Sequence, residues 1–468
     1  MGDDGYTTNL LTTKQRVLVL VESFTDERQD GKFARRLGLI GATNIGLGAM
    51  LGGGIYVISG TAAGMVGPAL IIAYLATGLL TIFTAINYAE LSCSIPRQGG
   101  GYTFAAGTFG GFPGFLTGWF LFIGNIVACG LYALAVAHTI AFFIAGATDT
   151  TVGMIAVVII LVTFITNLVS IKGVSGVLGI LNIAQSVVLF GFIFAGLFFI
   201  QPQNLTPFVP DFVGIPQFMT AVSFIYISFV GFELITTASE EIKDPARNIP
   251  RAILLTLVIA TAVYMAASLI LVGATNYTNI QNSNTPIADV YGFMLGPAAS
   301  YIGLAGMAAS NYAALNATFL ASARVAYSMG RDRYFPAFLD RVHPKLKTPI
   351  PALVSTLILV SVFALPGDVT LVASLSDFGY LVGLSIVNAS VIMLHHKKLS
   401  VPGTFKAPYF PLIPILGVST CILLVPSLHF GTLVLGGILT LFGLIVYGLY
   451  GGRKNKKFVS LMNGNILS

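Results

Sequence analysis

Charge is what this chain has least of. Lys, Arg, Asp and Glu make up 9% of its 468 residues, against roughly 25% in soluble proteins, so an ordinary water-soluble domain is excluded. Histidine is scarce too: there are five, and two of them, His395 and His396, stand together in a connection among lysines. That is too few for a metal cluster or a nucleophile with its base, which argues against a membrane-embedded enzyme. The three cysteines, Cys93, Cys129 and Cys421, lie in or beside apolar segments with no metal-ligand spacing, and a disulfide framework does not fit them. The single tryptophan, Trp119, reads as a packing or interfacial residue. Also missing is the apolar–polar alternation of barrel strands, since residues 70–82 and 154–165 are apolar on both parities. Residues 1–36 are polar and carry both charge signs, so they read as a tail and not as a cleavable leader.

What the chain does have is apolar length. Hydrophobic residues are 55% of the total, and there are 52 glycines, a content that suits membrane helices, where small residues let backbones approach. A membrane span needs about 20 apolar residues. Such runs number about twelve, at roughly 37–66, 68–93, 112–145, 152–170, 175–200, 214–239, 252–276, 296–328, 350–366, 370–394, 408–427 and 430–450. Backbone groups in hydrocarbon must be satisfied internally, so with barrels excluded the spans are helices. The expected class is an all-α polytopic membrane protein.

The basic residues orient it. All 24 Lys and Arg lie in the N-terminal tail, in even-numbered connections, at span ends facing one, or at the C-terminus. The positive-inside rule then places both termini and every even connection in the cytoplasm. The net charge of +6 is thus a topology signal and not the mark of a nucleic-acid partner. A lipid-binding role for Lys397–Lys398 or the C-terminal cluster is the sharper alternative. The chain divides into a cytoplasmic tail (1–36), two five-helix units (37–200 and 201–400), spans 11 and 12 (401–451) and a cytoplasmic C-terminal tail (452–468).

Two spans carry interruptions. Span 1 contains Gly52, Gly53 and Gly54 in succession, each costing helix continuity about 1 kcal/mol. Unwound there, the backbone would present amides at one half-helix end and carbonyls at the other, the first suited to a carboxylate and the second to an ammonium or metal ion. Tight packing against a neighbouring helix explains the same glycines. Span 6 holds Glu233 deep in an apolar run, two residues after Gly231. An intramembrane carboxylate is costly and is a candidate functional residue. Glycine-interrupted spans at corresponding places in two halves mark the midplane site of membrane carriers.

Four segments resemble the amino acid–polyamine–organocation (APC) superfamily. Span 1 carries Gly46-Leu47-Gly48-Ala49-Met50-Leu51-Gly52-Gly53-Gly54-Ile55-Tyr56. The end of span 2 carries Tyr88-Ala89-Glu90-Leu91-Ser92, then Pro96-Arg97-Gln98-Gly99-Gly100-Gly101-Tyr102. Span 6 and its following loop give Phe229-Val230-Gly231-Phe232-Glu233, then Glu240-Glu241-Ile242-Lys243-Asp244-Pro245-Ala246-Arg247-Asn248-Ile249-Pro250-Arg251. Span 8 gives Ala323-Arg324-Val325-Ala326-Tyr327-Ser328-Met329-Gly330-Arg331-Asp332 and Pro336. The resemblance implies a five-plus-five inverted repeat of the leucine-transporter type with two further C-terminal helices. It also implies alternating access, no organic cofactor, and a cell-membrane (plasma or inner) location. Within it, Gly52, Gly53 and Gly54 present amides to a substrate carboxylate. The carbonyls of Ala49 and Met50 face its ammonium, Phe229, Val230 and Gly231 contribute from span 6, and Phe229 is a candidate gate.

Glu233 keeps two readings: a pocket carboxylate facing a cation, or a structural hydrogen-bond acceptor. Glu90 is expected to pair with a basic residue. Glu240, Glu241, Lys243, Asp244 and Arg247 form either a solvated loop held by ion pairs or part of an inner gate. In span 5, sodium-independent bacterial members place a lysine where this chain has Gln185, whose amide does not titrate. Facilitated exchange, sodium coupling, and proton coupling through Glu233 or Asp377 all stay open. Thr318 and Ser322 of span 8 are candidate ion ligands beside Gln185, and Asn311 and Asn316 either join them or bond neighbouring helices. His138 is read as a packing residue. The expected function is secondary transport of amino acids across the bilayer, by symport or exchange, with sodium or a proton as the possible coupling ion. A polyamine exchanger would need more pocket carboxylates, a channel would show charge rings or filter repeats, and a sensor on the same fold would bind without transporting. Gly53→Leu is expected to abolish substrate binding and leave membrane insertion intact; undiminished uptake in proteoliposomes would contradict the site.

Overall fold

A computed structural model describes residues 37–451 apart from Gly53, 96–99, Ser170, Ala238, Glu240, Lys345, Lys347 and 400–403. The expected tails, 1–36 and 452–468, and the motif residues Gly53, Pro96, Arg97, Gln98, Gly99 and Glu240 lie outside the described residues. In chain order the α-helices are α1 (Leu39–Met50), α2 (Ser59–Val66), α3 (Leu70–Ser94), α4 (Gly100–Thr108), α5 (Gly111–Ala141), α6 (Asp149–Val169), α7 (Ile171–Gly196) and α8 (Ile215–Phe224). They continue as α9 (Leu234–Thr237), α10 (Pro245–Gly273), α11 (Pro286–Leu295), α12 (Ser300–Arg331), α13 (Ile350–Ala364), α14 (Val369–His396), α15 (Leu412–Leu424) and α16 (Phe430–Val446). Among the described residues no strand forms, and one isolated bridge joins Leu37 to Ile242.

Seven helical stretches are long and apolar enough to cross a membrane, or eight when the bent pair Ile215–Phe224 and Tyr226–Thr236 is one span. One of the seven, Leu39–Ser94, is 56 residues long and is interrupted after Met50 and again at Gly67, where φ is +59°. Three shorter apolar helices, Pro286–Leu295, Ile350–Ala364 and Leu412–Ser427, complete the apolar set. Two helices fall where the sequence reads only connections. α4 has 9 residues and α11 has 10, so a search for runs of about 20 apolar residues passes over both.

Burial sorts the helices into a centre and a rim. The most apolar window of α5 is 94% inside the molecule, against 17% for the equivalent windows of α7 and α16. α5 packs against α12, α13, α14 and α6. On the rim, Ile180, Ile183, Val187 and Phe194 of α7 and Leu441, Phe442 and Ile445 of α16 point outward. So broad an apolar exterior belongs against lipid.

The central crossing depends on small residues. A Cβ added to Gly379 of α14 would lie 2.9 Å from the backbone of Gly124 and from the Phe120 carbonyl of α5. Around this crossing, buried polar side chains bond between helices. Ser376 Oγ donates to the Gly124 carbonyl at 2.9 Å, and Tyr380 Oη donates to Asn125 Oδ1 at 2.8 Å. Asn388 Nδ2 reaches Thr84 Oγ1 of α3 at 3.0 Å, while Asn87 Nδ2 returns to Asn388 Oδ1 at 2.9 Å. Gly379→Ala is expected to lower the thermal midpoint of the detergent-solubilised protein, by a free energy of about 1–3 kcal/mol for overpacking. Gly437→Ala, whose added Cβ meets nothing within 4 Å, should leave the midpoint unchanged.

Candidate functional site

The two glycine interruptions shape the centre. α1 ends at Met50, and the Leu51 amide donates back to the Leu47 carbonyl at 2.8 Å. After Gly52 the chain resumes as a wide π-type turn, Gly54–Ile58, and then as α2. The second break follows α8. A single 3₁₀ turn, Tyr226–Phe229, leads to Val230 in extended conformation (φ −76°, ψ 137°) and to Gly231 at φ +136°. Side chains rarely adopt that φ, so glycine is required at 231. Between Ile215–Phe224 and Tyr226–Thr236 the chain bends by 43°.

The two breaks lie against each other. A Cβ on Gly54 would fall 2.1 Å from Ser228 Oγ, and one on Gly231 would fall 3.0 Å from the Met50 amide nitrogen and the Ala49 Cβ. Glycine here permits contact between two unwound backbones as well as unwinding itself. A Cβ on Gly52 would meet Ala314 Cβ of α12 at 3.1 Å.

Carbonyls at and before the breaks are taken up by side chains from flanking helices. The Tyr264 hydroxyl of α10 lies in hydrogen-bond range of the Met50 carbonyl and, at 2.7 Å, of the Ser228 carbonyl, so its single proton sits between both breaks. Ser310 Oγ of α12 reaches the Leu51 carbonyl at 3.3 Å. Gln185 Nε2 of α7 lies 3.4 Å from the Gly48 carbonyl and 3.1 Å from Asn182 Oδ1. Tyr56 Oη donates to the backbone carbonyl of Gln185 at 2.9 Å. Three fully buried rings close over the junction: Phe229 sits 5.2 Å from Tyr264 and 6.3 Å from Tyr74, with Tyr74 and Tyr264 at 5.3 Å.

The predicted residues fall as follows. Ala49, Met50, Gly52, Gly54, Phe229, Val230 and Gly231 gather at the junction, and Gly53 lies outside the described residues. Glu233 Oε2 accepts the Gly231 amide at 2.7 Å, so its carboxyl folds back on its own loop. Ser322 Oγ donates to Thr318 O within α12, and Ser310, roughly two turns before Thr318 on the same helix, places its hydroxyl on the Leu51 carbonyl of span 1. Asn311 Nδ2 bonds its own helix at Met307 O, and Asn316 Nδ2 bonds Thr166 of α6 at 3.3 Å.

Around the basic connections, Glu90 pairs with His395 Nε2 at 2.6 Å and accepts the Ala407 amide at 2.8 Å. Tyr102 Oη donates to Asp332 Oδ2 at 2.6 Å, joining the motif after span 2 to that after span 8. Leu37 exchanges backbone hydrogen bonds with Glu241 and Lys243. Among the described residues no ion pair forms within Glu241, Lys243, Asp244 and Arg247, and the backbone pairing with Leu37 ties this loop to the start of span 1. Trp119 packs: its Nε1 donates to Leu439 O at 3.1 Å. His138 Nε2 is buried without a partner.

Sequence reasoning missed Tyr264, Tyr74, Ser228 and Ser310. A signal did exist for the tyrosines, because a hydroxyl inside an apolar span needs a partner. It does not say which partner.

The helices, apolar rim and paired breaks define a multi-pass helical membrane protein with an interrupted pair of helices at its centre. The amino acid permease family model matches residues 37–449, and the chain belongs to that family. It is 29% identical over 443 residues to the branched-chain amino acid permease BcaP of Bacillus subtilis, covering 90% of this chain and 94% of that one. It is 28% identical over 459 residues to the methylthioribose transporter of the same organism, covering 95% and 98%. The human large neutral amino acids transporter small subunit 2 is 29% identical over 451 residues, covering 91% and 82%. A permease carries solutes and is not an enzyme, and the motifs quoted from spans 1, 2, 6 and 8 all lie inside the matched region.

Tyr264→Phe removes the one hydroxyl shared by both breaks. It is expected to cost about 1 kcal/mol, the scale of an interhelical hydrogen bond in a membrane, read as a lowered thermal midpoint. Tyr301→Phe, an exposed tyrosine, should melt as the parent does.

Proposed function

We propose that this permease is a secondary transporter of neutral, branched-chain-type amino acids, working by alternating access across the cell membrane. The observation that carries the reading is the contact between two interrupted helices, with Gly54 against Ser228 and Gly231 against Met50. Such a junction gathers peptide dipoles in a low-dielectric interior, where they are worth most to a zwitterion. The substrate carboxylate binds amides of Gly52, Gly53 and Gly54, and its ammonium binds carbonyls of Ala49, Met50, Phe229 and Val230. Phe229 covers it, and Gly231 and Glu233 shape the span 6 side. Gln185 holds span 5 against the end of α1 and, with Thr318 and Ser322, belongs to the proposed coupling region.

The names of the relatives supply the substrate class: branched-chain amino acids in one and large neutral amino acids in another. The buried aromatic cluster of Tyr74, Phe229 and Tyr264 offers apolar surface of the kind a branched side chain prefers. A polyamine would need several carboxylates at this depth, and Glu233 already accepts the Gly231 amide. We place the polypeptide in twelve spans as two inverted five-helix units plus two, with both ends cytoplasmic. The placement of all 24 basic residues supports that topology.

The test is counterflow. Proteoliposomes preloaded with leucine should draw in radiolabelled leucine and be competed by isoleucine and valine, with putrescine without effect. Methylthioribose belongs in the same panel because one relative is named for it. Binding of leucine with no exchange would favour a sensor. Exchange of putrescine but not leucine would overturn the substrate class.

A further inference from the structure

One strongly polar group at the centre has no role in the site so far described. Asp377, in the interior of α14, is fully buried, and among the described residues no side chain bonds either carboxyl oxygen; the backbone amide of Ile227 in the 3₁₀ turn faces it without closing a bond of full geometry. Glu233, the other carboxyl of this region, accepts the Gly231 amide. Glu90 has His395 and the Ala407 amide. Asp377 is the acid matched by no side chain, and none of the ion pairs among the described residues includes it.

Its position connects it to the junction. α14 packs against the 3₁₀ turn Tyr226–Phe229 and against the π-type turn Gly54–Ile58, the two unwound segments themselves. Asp377 lies beside Ile227 of the 3₁₀ turn. Its neighbours on α14 are committed elsewhere: Ser376 bonds α5 through Gly124, and Tyr380 bonds α5 through Asn125. Thus α14 is clamped to α5 on one side, while Asp377 borders the span 6 break on the other. Ser374, one turn earlier on α14, is buried and without a partner.

The groups around it suit a proton better than a metal ion. The titratable side chains linked to it are Tyr132 from α5 and Tyr226 from the 3₁₀ turn; Tyr380, one turn on along α14, stands near Tyr132, Cys129, Tyr88 and Glu233. Tyr132 and Tyr226 lie in reach of both Asp377 and Glu233. None is a cation that would hold the carboxylate ionised. No group of three or more acidic, histidine or cysteine side chains among the described residues gathers around it to hold a metal. An unpaired carboxylate in an apolar interior carries a large penalty, which taking up a proton removes.

We propose that Asp377 is the proton-carrying group of this permease, loaded when its side chain is buried against the span 6 break and unloaded when movement of that break opens it to water. The proposal rests on the transport reading above and adds its coupling. One proton and one amino acid move inward together. The proton leaves the Asp377 carboxyl for water on the inner side, and the carboxylate is reprotonated from the outer side. The direction of the dependence follows: accumulation rises as the outer medium becomes more acidic than the lumen. Gln185, which cannot titrate, leaves span 5 without this task.

Leucine is the probe. In sodium-free proteoliposomes of the full chain, an outward-acidic gradient of one pH unit should drive accumulation toward about tenfold, the ratio one proton per substrate supports. Asp377→Asn should bring that ratio to one while leucine counterflow continues. Asp377→Glu should accumulate leucine with a displaced pH profile. Wild-type uptake without an imposed gradient should alkalinise the outer medium, a readout that needs no variant. Gradient-driven accumulation by Asp377→Asn, or accumulation that requires sodium and ignores pH, overturns the proposal. So does leucine counterflow with no accumulation under either gradient, and in that case the transporter reading survives. Loss of leucine counterflow in the wild type would instead sink that reading.

Discussion

A peptide carbonyl inside a bilayer has no water to turn to, and most of what is unusual at the centre of this protein answers that constraint. Interrupting α1 and the span begun by α8 frees carbonyls at Met50, Leu51 and Ser228. The single hydroxyl proton of Tyr264 lies between two of them, and Ser310 supplies the third. Two helices that each lack a continuous ladder are thereby tied to α10 and α12, which do not break. The same bond ties the breaks to each other. Neither interruption would be stable alone in hydrocarbon, where each unmet polar group costs several kcal/mol.

This arrangement gives the glycines distinct duties. Gly231 is needed for its backbone angle, at φ +136°. Gly54 is needed for proximity, since any side chain there would meet Ser228. Gly379 allows α14 to lie against α5 at the crossing that carries Asp377. The permease therefore packs its helices closely where α14 crosses α5 and unwinds them where the two breaks meet.

The connections rich in basic residues are tied down in a different way. Tyr102 with Asp332, Glu90 with His395, and Leu37 paired to the loop at Ile242 each join segments distant in sequence. In the loop after span 6 the backbone bonds of Leu37 make the tie among the described residues. Exposed ion pairs contribute little, whereas a buried Glu90 cannot be left unpaired, and the structure follows that ordering.

How much of this could be read in advance depends on the kind of signal. Helix type, membrane character, the two interruptions and the family follow from local properties: apolar length, glycine runs and short motifs. Gly52–Gly54 and Gly231 announce themselves because backbone freedom is written in the residue type. α4 and α11 escaped because short helices in connections carry no span-length apolar run. Pairings across hundreds of residues, such as Tyr264 with Met50, Asn388 with Thr84 or the isolation of Asp377, exist only once the helices have packed. The linear chain determined which segments enter the membrane and where they cannot remain helical, because those are properties of each segment and its solvent. Only the tertiary arrangement decided which freed carbonyl meets which hydroxyl and which carboxyl is left without a side-chain partner, because satisfaction of a buried polar group is a property of its neighbours.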